Sequence, residues 1–186
     1  MSNIKSGVSR VCITPPLGTA MSGYFSPRYA KGINDDLYAT AVAFDDGENK
    51  AVVIALDLCG LKNLWWVDDC KKMVSEYCSI PVESIIINCS HTHTGPVVGF
   101  DVFSGAENNK VYDDFLMQRI RDVAYLALKD VSPSKFYMAN NEAKDIAFMR
   151  LFKMKDGSVV TNPGIGNPDI IHPMAEPNET VTLVKI

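Results

Sequence analysis

Two stretches of the chain are apolar at every position, and each leads to a residue able to do chemistry. Residues 51–56 run into Asp57, and Ile85-Ile86-Ile87 leads through Asn88 and Cys89 to His91. Short runs without polar alternation are the pattern of strands buried on both faces. Residues 7–13 and 37–44 also read as strands. The first stops at Thr14-Pro15-Pro16, because two prolines cannot continue a sheet interior. The polar stretch between residues 44 and 51 predicts a hairpin. Residues 17–36 are rich in Gly, Ser, Pro and Asp and predict a long ordered loop, which in a compact domain usually carries function.

Helical spacing occurs twice. Trp66, Cys70, Met73, Val74 and Tyr77 fall on one face of a helix over residues 62–78. Leu116, Ile120, Val123, Ala124, Ala127 and Val131 do the same for a helix over 111–130, which ends at Ser132-Pro133. Further on, 135–141 and 146–154 read as strands, and Asp156-Gly157 turns the chain into a short strand at 158–160. Residues 161–177 predict a proline-rich loop and 181–185 a last strand. The order β-β-β-α-β-α-β-β predicts an α/β fold, a mixed sheet with crossover helices and attached hairpins, in one domain that is read as partial.

Composition narrows the class. With 47% apolar and 22% charged residues, the chain belongs with folded globular proteins. A net charge of -4 and the lack of a Lys/Arg cluster point away from nucleic acid. No apolar run approaches a membrane span, and the N-terminal residues lack a basic stretch followed by an apolar one. Five scattered cysteines (Cys12, Cys59, Cys70, Cys78 and Cys89) form no CxxC pair and are odd in number. They predict reduced thiols with structural roles and a cytoplasmic setting.

The candidate chemistry lies in Asn88-Cys89-Ser90-His91-Thr92-His93-Thr94-Gly95-Pro96, which holds two of the three histidines. In an extended segment residues i and i+2 point to the same side, so both rings can meet one small target. Neutral imidazole is a zinc ligand at about 2.0–2.1 Å. Gly95-Pro96 predicts a turn, and Thr92 and Thr94 are placed to orient the rings by hydrogen bonds. Ligands of open α/β sheets sit beyond the carboxyl ends of strands, where Asp57 and His91 both fall.

A catalytic zinc takes three protein ligands, so a further donor is needed. Asp57 is the best placed, ahead of Asp35, Asp36, Asp101 and His172. The plain reading is two surface histidines beside a turn-capping aspartate, and the pair alone leaves both readings open. A metal-free acid/base pair acting on a sugar or nucleotide has no carboxylate pair or phosphate loop to support it. There is no GxSxG, Walker loop or dinucleotide fingerprint.

Ser90-His91-Thr92-His93-Thr94-Gly95-Pro96 resembles the T-H-T-H-S-G-P segment of the neutral/alkaline (non-lysosomal) ceramidase family. Other pieces follow in the same order. Residues 7–18 resemble that family's opening strand and loop, and Met21-Ser22-Gly23-Tyr24 its M-x-G-Y. Asp36-Leu37-Tyr38-Ala39-Thr40-Ala41 resembles its L-x-A-R-A strand, with Thr40 where arginine is usual. The run ending at Asp57 also matches. The likeness spans nearly the whole chain and is most specific around the histidines.

The resemblance implies a zinc-dependent amidase, with ceramide cleavage as the family's activity. It makes His91 a zinc ligand and His93 a histidine beside the catalytic water that assists proton transfer or holds the reacting carbonyl. It makes Arg150 an arginine that binds the substrate's polar head or the developing oxyanion. Asp57 stays an alternative ligand or a group behind the ligands. The family's second zinc histidine, glutamate and tyrosine lie further along a longer chain, so the resemblance implies the N-terminal part of such a catalytic domain. His172 does not align with the second histidine. Two functions are expected from this. One is a zinc-dependent amide hydrolase, or a portion of one, acting on a small-molecule or lipid amide. The other is a non-catalytic truncated domain that self-associates as a homo-oligomer through exposed apolar edges.

Overall fold

The computed structural model describes residues 4–61, 64–101, 104–107 and 110–186. They divide into two compact units, Met1–Ser134 and Lys135–Ile186.

The first unit opens with β1 (Lys5–Cys12). A small hairpin, β2 (Ala20–Met21) and β3 (Arg28–Tyr29), then lies inside the stretch expected to be loop. Next come β4 (Tyr38–Asp45) and β5 (Lys50–Leu56), paired antiparallel as the polar stretch predicted. Asp46 closes their turn, its carboxylate accepting from the backbone N–H of Glu48 and Asn49. The helix α1 (Leu64–Cys78) carries the chain to β6 (Ile85–Cys89), which pairs parallel with β5. The start of the expected helix, residues 62 and 63, lies outside the described residues. Two short strands, β7 (Phe100–Asp101) and β8 (Ala106–Glu107), precede α2 (Lys110–Lys129) and β9 (Ser132–Pro133). The main sheet has the order β6-β5-β4-β1-β9. This is a mixed α/β sheet with a helical crossover and attached hairpins.

One face of that sheet builds the core. Ala39, Ala41 and Ala43 of β4, Val52, Ile54 and Leu56 of β5, and Ile85 are all buried against Trp66, Cys70 and Val74 of α1 and Leu116, Ile120 and Val123 of α2. Each fully buried Ile or Leu contributes about 1.5–3 kcal/mol. The small side chains of β4 and Gly7 of β1 let α2 lie close. A Cβ on Gly7 would stand 2.2 Å from the Ala127 carbonyl oxygen. The Tyr112 hydroxyl donates to the Ile13 carbonyl and fastens α2 to the end of β1.

Burial corrects one expectation. The apolar runs of β5 and β6 are covered on one face only: Ala55 is exposed and Ile86 is 56% exposed. Both helices pack into the same core, so the opposite row, Val8–Val42–Val53–Ile86, gains no helix.

The second unit is all antiparallel among its described strands. β10 (Tyr137–Glu142) pairs with β14 (Thr180–Lys185). β11 (Leu151–Met154) is flanked by β12 (Val159–Thr161) and β13 (Ile170–Pro173). The expected strand over 146–154 begins only at Leu151, because residues 144–146 form a turn. The expected loop 161–177 contains β13. Asp156-Gly157 makes its turn, with Gly157 at φ 89° and the Asp156 carboxylate accepting from Ser158. Among the described residues no helix is long and apolar enough to cross a membrane.

Candidate metal centre

Because β5 and β6 are parallel neighbours, their carboxyl ends emerge side by side. The pairing runs on past both strands: Ser90 N–H donates to Leu56 O (2.9 Å) and His91 N–H to Leu58 O (3.0 Å). This brings the residues after Leu56 against the residues after Cys89. His91 then takes φ 63°, a left-handed conformation in which histidine is over-represented but still uncommon.

That turn, and not an extended run, aims the first ring. Nδ1 of His91 lies 2.7 Å from the carbonyl oxygen of Cys59. A carbonyl only accepts, so Nδ1 carries a proton, and in the neutral ring Nε2 is the nitrogen left to bind a metal. This is how a backbone carbonyl commonly fixes the tautomer of a metal-binding histidine. Nε2 of His91 faces Nε2 of His93 at 3.3 Å, with the rings edge to face at 77°. Two imidazole nitrogens bound to one tetrahedral zinc at about 2.0–2.1 Å lie about 3.3 Å apart, the spacing found here.

Cys59 is the residue the sequence did not single out. It is buried, and its Sγ stands 3.8 Å from His91 Nδ1. Ligand atoms of Cys59, His91 and His93 all lie within 4.8 Å of one another, a donor set suited in chemistry to a borderline-soft cation. All five cysteines are free. Burial pushes the Cys70 thiol up to about 12, and burial together with neighbouring Cys59 pushes Cys89 up to about 11. Both are therefore inert packing groups.

The expected helpers take other posts. Thr92 and Thr94 hydrogen-bond each other at 2.9 Å, and Thr94 N–H donates to Thr92 Oγ1, so they brace the turn. Gly95 passes so close to β5 that a Cβ would be 3.1 Å from the Asp57 carbonyl oxygen. Asp57 uses its carboxylate to accept Tyr38 N–H at 3.0 Å while its own N–H donates to the Tyr38 carbonyl. It does not join the donor group of Cys59, His91 and His93. Asp36 accepts the Thr14 hydroxyl, and buried Asp101 accepts Ser22 Oγ at 3.3 Å. Asp35 is exposed.

Arg150 and His172 belong to the second unit. Arg150 is exposed just before β11, its carbonyl accepting Asn162 N–H, and it lines a groove with Phe148, Phe152 and Ile165. His172 is exposed on β13, with Nδ1 on the Pro173 carbonyl.

The sequence matches no protein-family model and no curated protein. Solved structures do match in fold. Neutral ceramidase from Pseudomonas aeruginosa superposes with a TM-score of 0.66 at 18% identity, over 76% of this chain and 24% of its own. A ceramidase complexed with C2 superposes with a TM-score of 0.70 at 18% identity, over 81% of this chain and 25% of its own. The chain therefore shares its fold with a part of bacterial neutral ceramidase, and spans about a quarter of the length of the structures it matches.

Proposed function

We propose that this chain carries part of the active site of a zinc-dependent hydrolase of the ceramidase kind, acting on the C–N bond of a small-molecule or lipid amide. The observation that carries the proposal is the histidine pair, with Nε2 of His91 3.3 Å from Nε2 of His93 and Nδ1 of His91 committed to a backbone carbonyl. Fold likeness to solved ceramidases supports the same reading.

In this reading His91 would hold the metal through Nε2, with His93 as the nearest further donor and the Cys59 thiol on the Nδ1 side. Bound zinc would supply a Lewis acid and a water acidified to about pKa 7. A His93 Nε2 that is not bound to the metal would take the proton of the attacking water and return it to the leaving amine. Hydrolysis of a short-chain N-acyl amide, assayed with zinc and after chelation, tests this. Chelator-sensitive turnover that disappears in His93→Ala is expected. Turnover that is absent, or untouched by chelation, sinks it.

One observation favours the second reading, a non-catalytic domain that self-associates. Val8 and Ile86 are 51% and 56% exposed in one apolar row of the main sheet. A monodisperse monomer by light scattering removes that reading.

A further inference from the structure

The β2–β3 hairpin is stitched to the histidine turn. Ser22 N–H donates to Gly95 O at 3.0 Å, Val97 N–H donates to Ala20 O at 2.8 Å, and Met21 bridges Pro96. The tip of the hairpin then closes on His93 from several directions. Gly23, at φ +98°, lies so near the ring that a Cβ there would be 2.5 Å from His93 Cγ. The Tyr24 ring meets the His93 ring edge to face with centroids 6.0 Å apart. The Arg28 guanidinium lies 3.5 Å over the Tyr24 ring, and its Nη2 donates to the His93 carbonyl at 2.7 Å. Arg28 Nε is buried without a hydrogen bond among the described residues. A buried donor left unpaired has a cost. Among the described residues the guanidinium is held by its stack on Tyr24 and its Nη2 bond to His93.

We propose that Tyr24 and Arg28 are positioning residues that clamp His93, and that the affinity of the histidine pair for a divalent metal depends on that clamp. The proposal rests on reading His91 and His93 as a metal pair. The contacts of Tyr24 and Arg28 run to the His93 ring and carbonyl. They act on the ring and backbone of His93, as groups behind a ligand do, and loss of such a partner typically weakens metal binding about 10–100-fold. Lysine is a poor substitute, because it keeps the charge but not the planar face that stacks on Tyr24.

The test is cobalt(II) titration of the 186-residue chain, read by its visible ligand-field bands. It is paired with the nuclear Overhauser contact between the His93 ring and the Gly23 α protons in metal-free protein. Arg28→Ala and Tyr24→Leu should each weaken cobalt binding at least tenfold, shift the bands and lose the contact. Arg28→Lys should restore affinity only in part. Affinity within twofold of wild type, with the contact retained in Arg28→Ala, overturns the clamp, and so does full rescue by lysine. If wild type binds no cobalt, the metal reading fails by itself, and the clamp stands or falls on the contact.

Discussion

His91 donates Nδ1–H to the backbone carbonyl of Cys59 across 2.7 Å, so the group that fixes its tautomer belongs to the main chain and not to a side chain. The Cys59 thiol lies near that same nitrogen, 3.8 Å away, behind the Nε2 that faces His93. Cys59→Ala should therefore keep the orienting bond. We expect it to weaken zinc binding less than tenfold, while His91→Ala abolishes binding. Competition against a colorimetric chelator measures both. A Cys59→Ala loss as large as that of His91→Ala would make the thiol a direct ligand.

His91 pays for its aim with a left-handed backbone, at φ 63°. A side chain with a Cβ costs roughly 1–2 kcal/mol there, a cost glycine escapes. His91→Gly should therefore melt above His91→Ala in metal-free protein, by about 1 kcal/mol after glycine's greater freedom in the unfolded chain is set against it. Equal stabilities by chemical denaturation would show that the position is unstrained.

Gly7 sets how closely α2 approaches β1. The Cβ of Gly7→Ala would lie 2.2 Å from Ala127 O and 2.7 Å from Val131 N, both backbone atoms that cannot swing aside. The helix must shift, and overpacking of this kind costs about 1–3 kcal/mol or more. A denaturant midpoint unchanged from wild type would contradict the close approach.

Asp113 gives the fold a pH dependence. It sits in the first turn of α2 and is 8% exposed. Burial raises its carboxyl to about 6, with Asp114 adding and a Gly99 N–H bond and Lys110 opposing. In the unfolded chain the group ionises near 3.9, so the folded state holds its proton longer. Stability therefore falls as pH rises from about 4 to about 6 and stays lower above that range. Asp113→Asn should raise the melting temperature at pH 7, by at most about 3 kcal/mol of stability, and change nothing at pH 3.5. A variant no more stable than wild type at pH 7 would contradict this.

Much of the first unit was legible because helices carry a 3.6-residue signature. Trp66, Cys70 and Val74 mark one buried face, and Leu116, Ile120 and Val123 another. Strand burial was over-read, since a run such as Val52-Val53-Ile54 looks the same whether one face or both are covered. The pairs β2–β3 and β7–β8 are two residues per strand, too short for any period to register. At the site, His91 and His93 stood out by their spacing. Cys59 did not, because it reaches His91 only through the parallel pairing of β5 with β6, a contact across 32 residues of chain. Arg28 was hidden for the same reason, its bond to His93 depending on how the hairpin folds back.

Elemental analysis of the purified 186-residue chain after zinc loading and desalting, beside a His91→Ala/His93→Ala double variant, addresses the metal centre directly. Near-stoichiometric zinc in the wild type that vanishes in the double variant is the expected result. Zinc in the wild type no higher than in the double variant would contradict a metal centre built on His91 and His93.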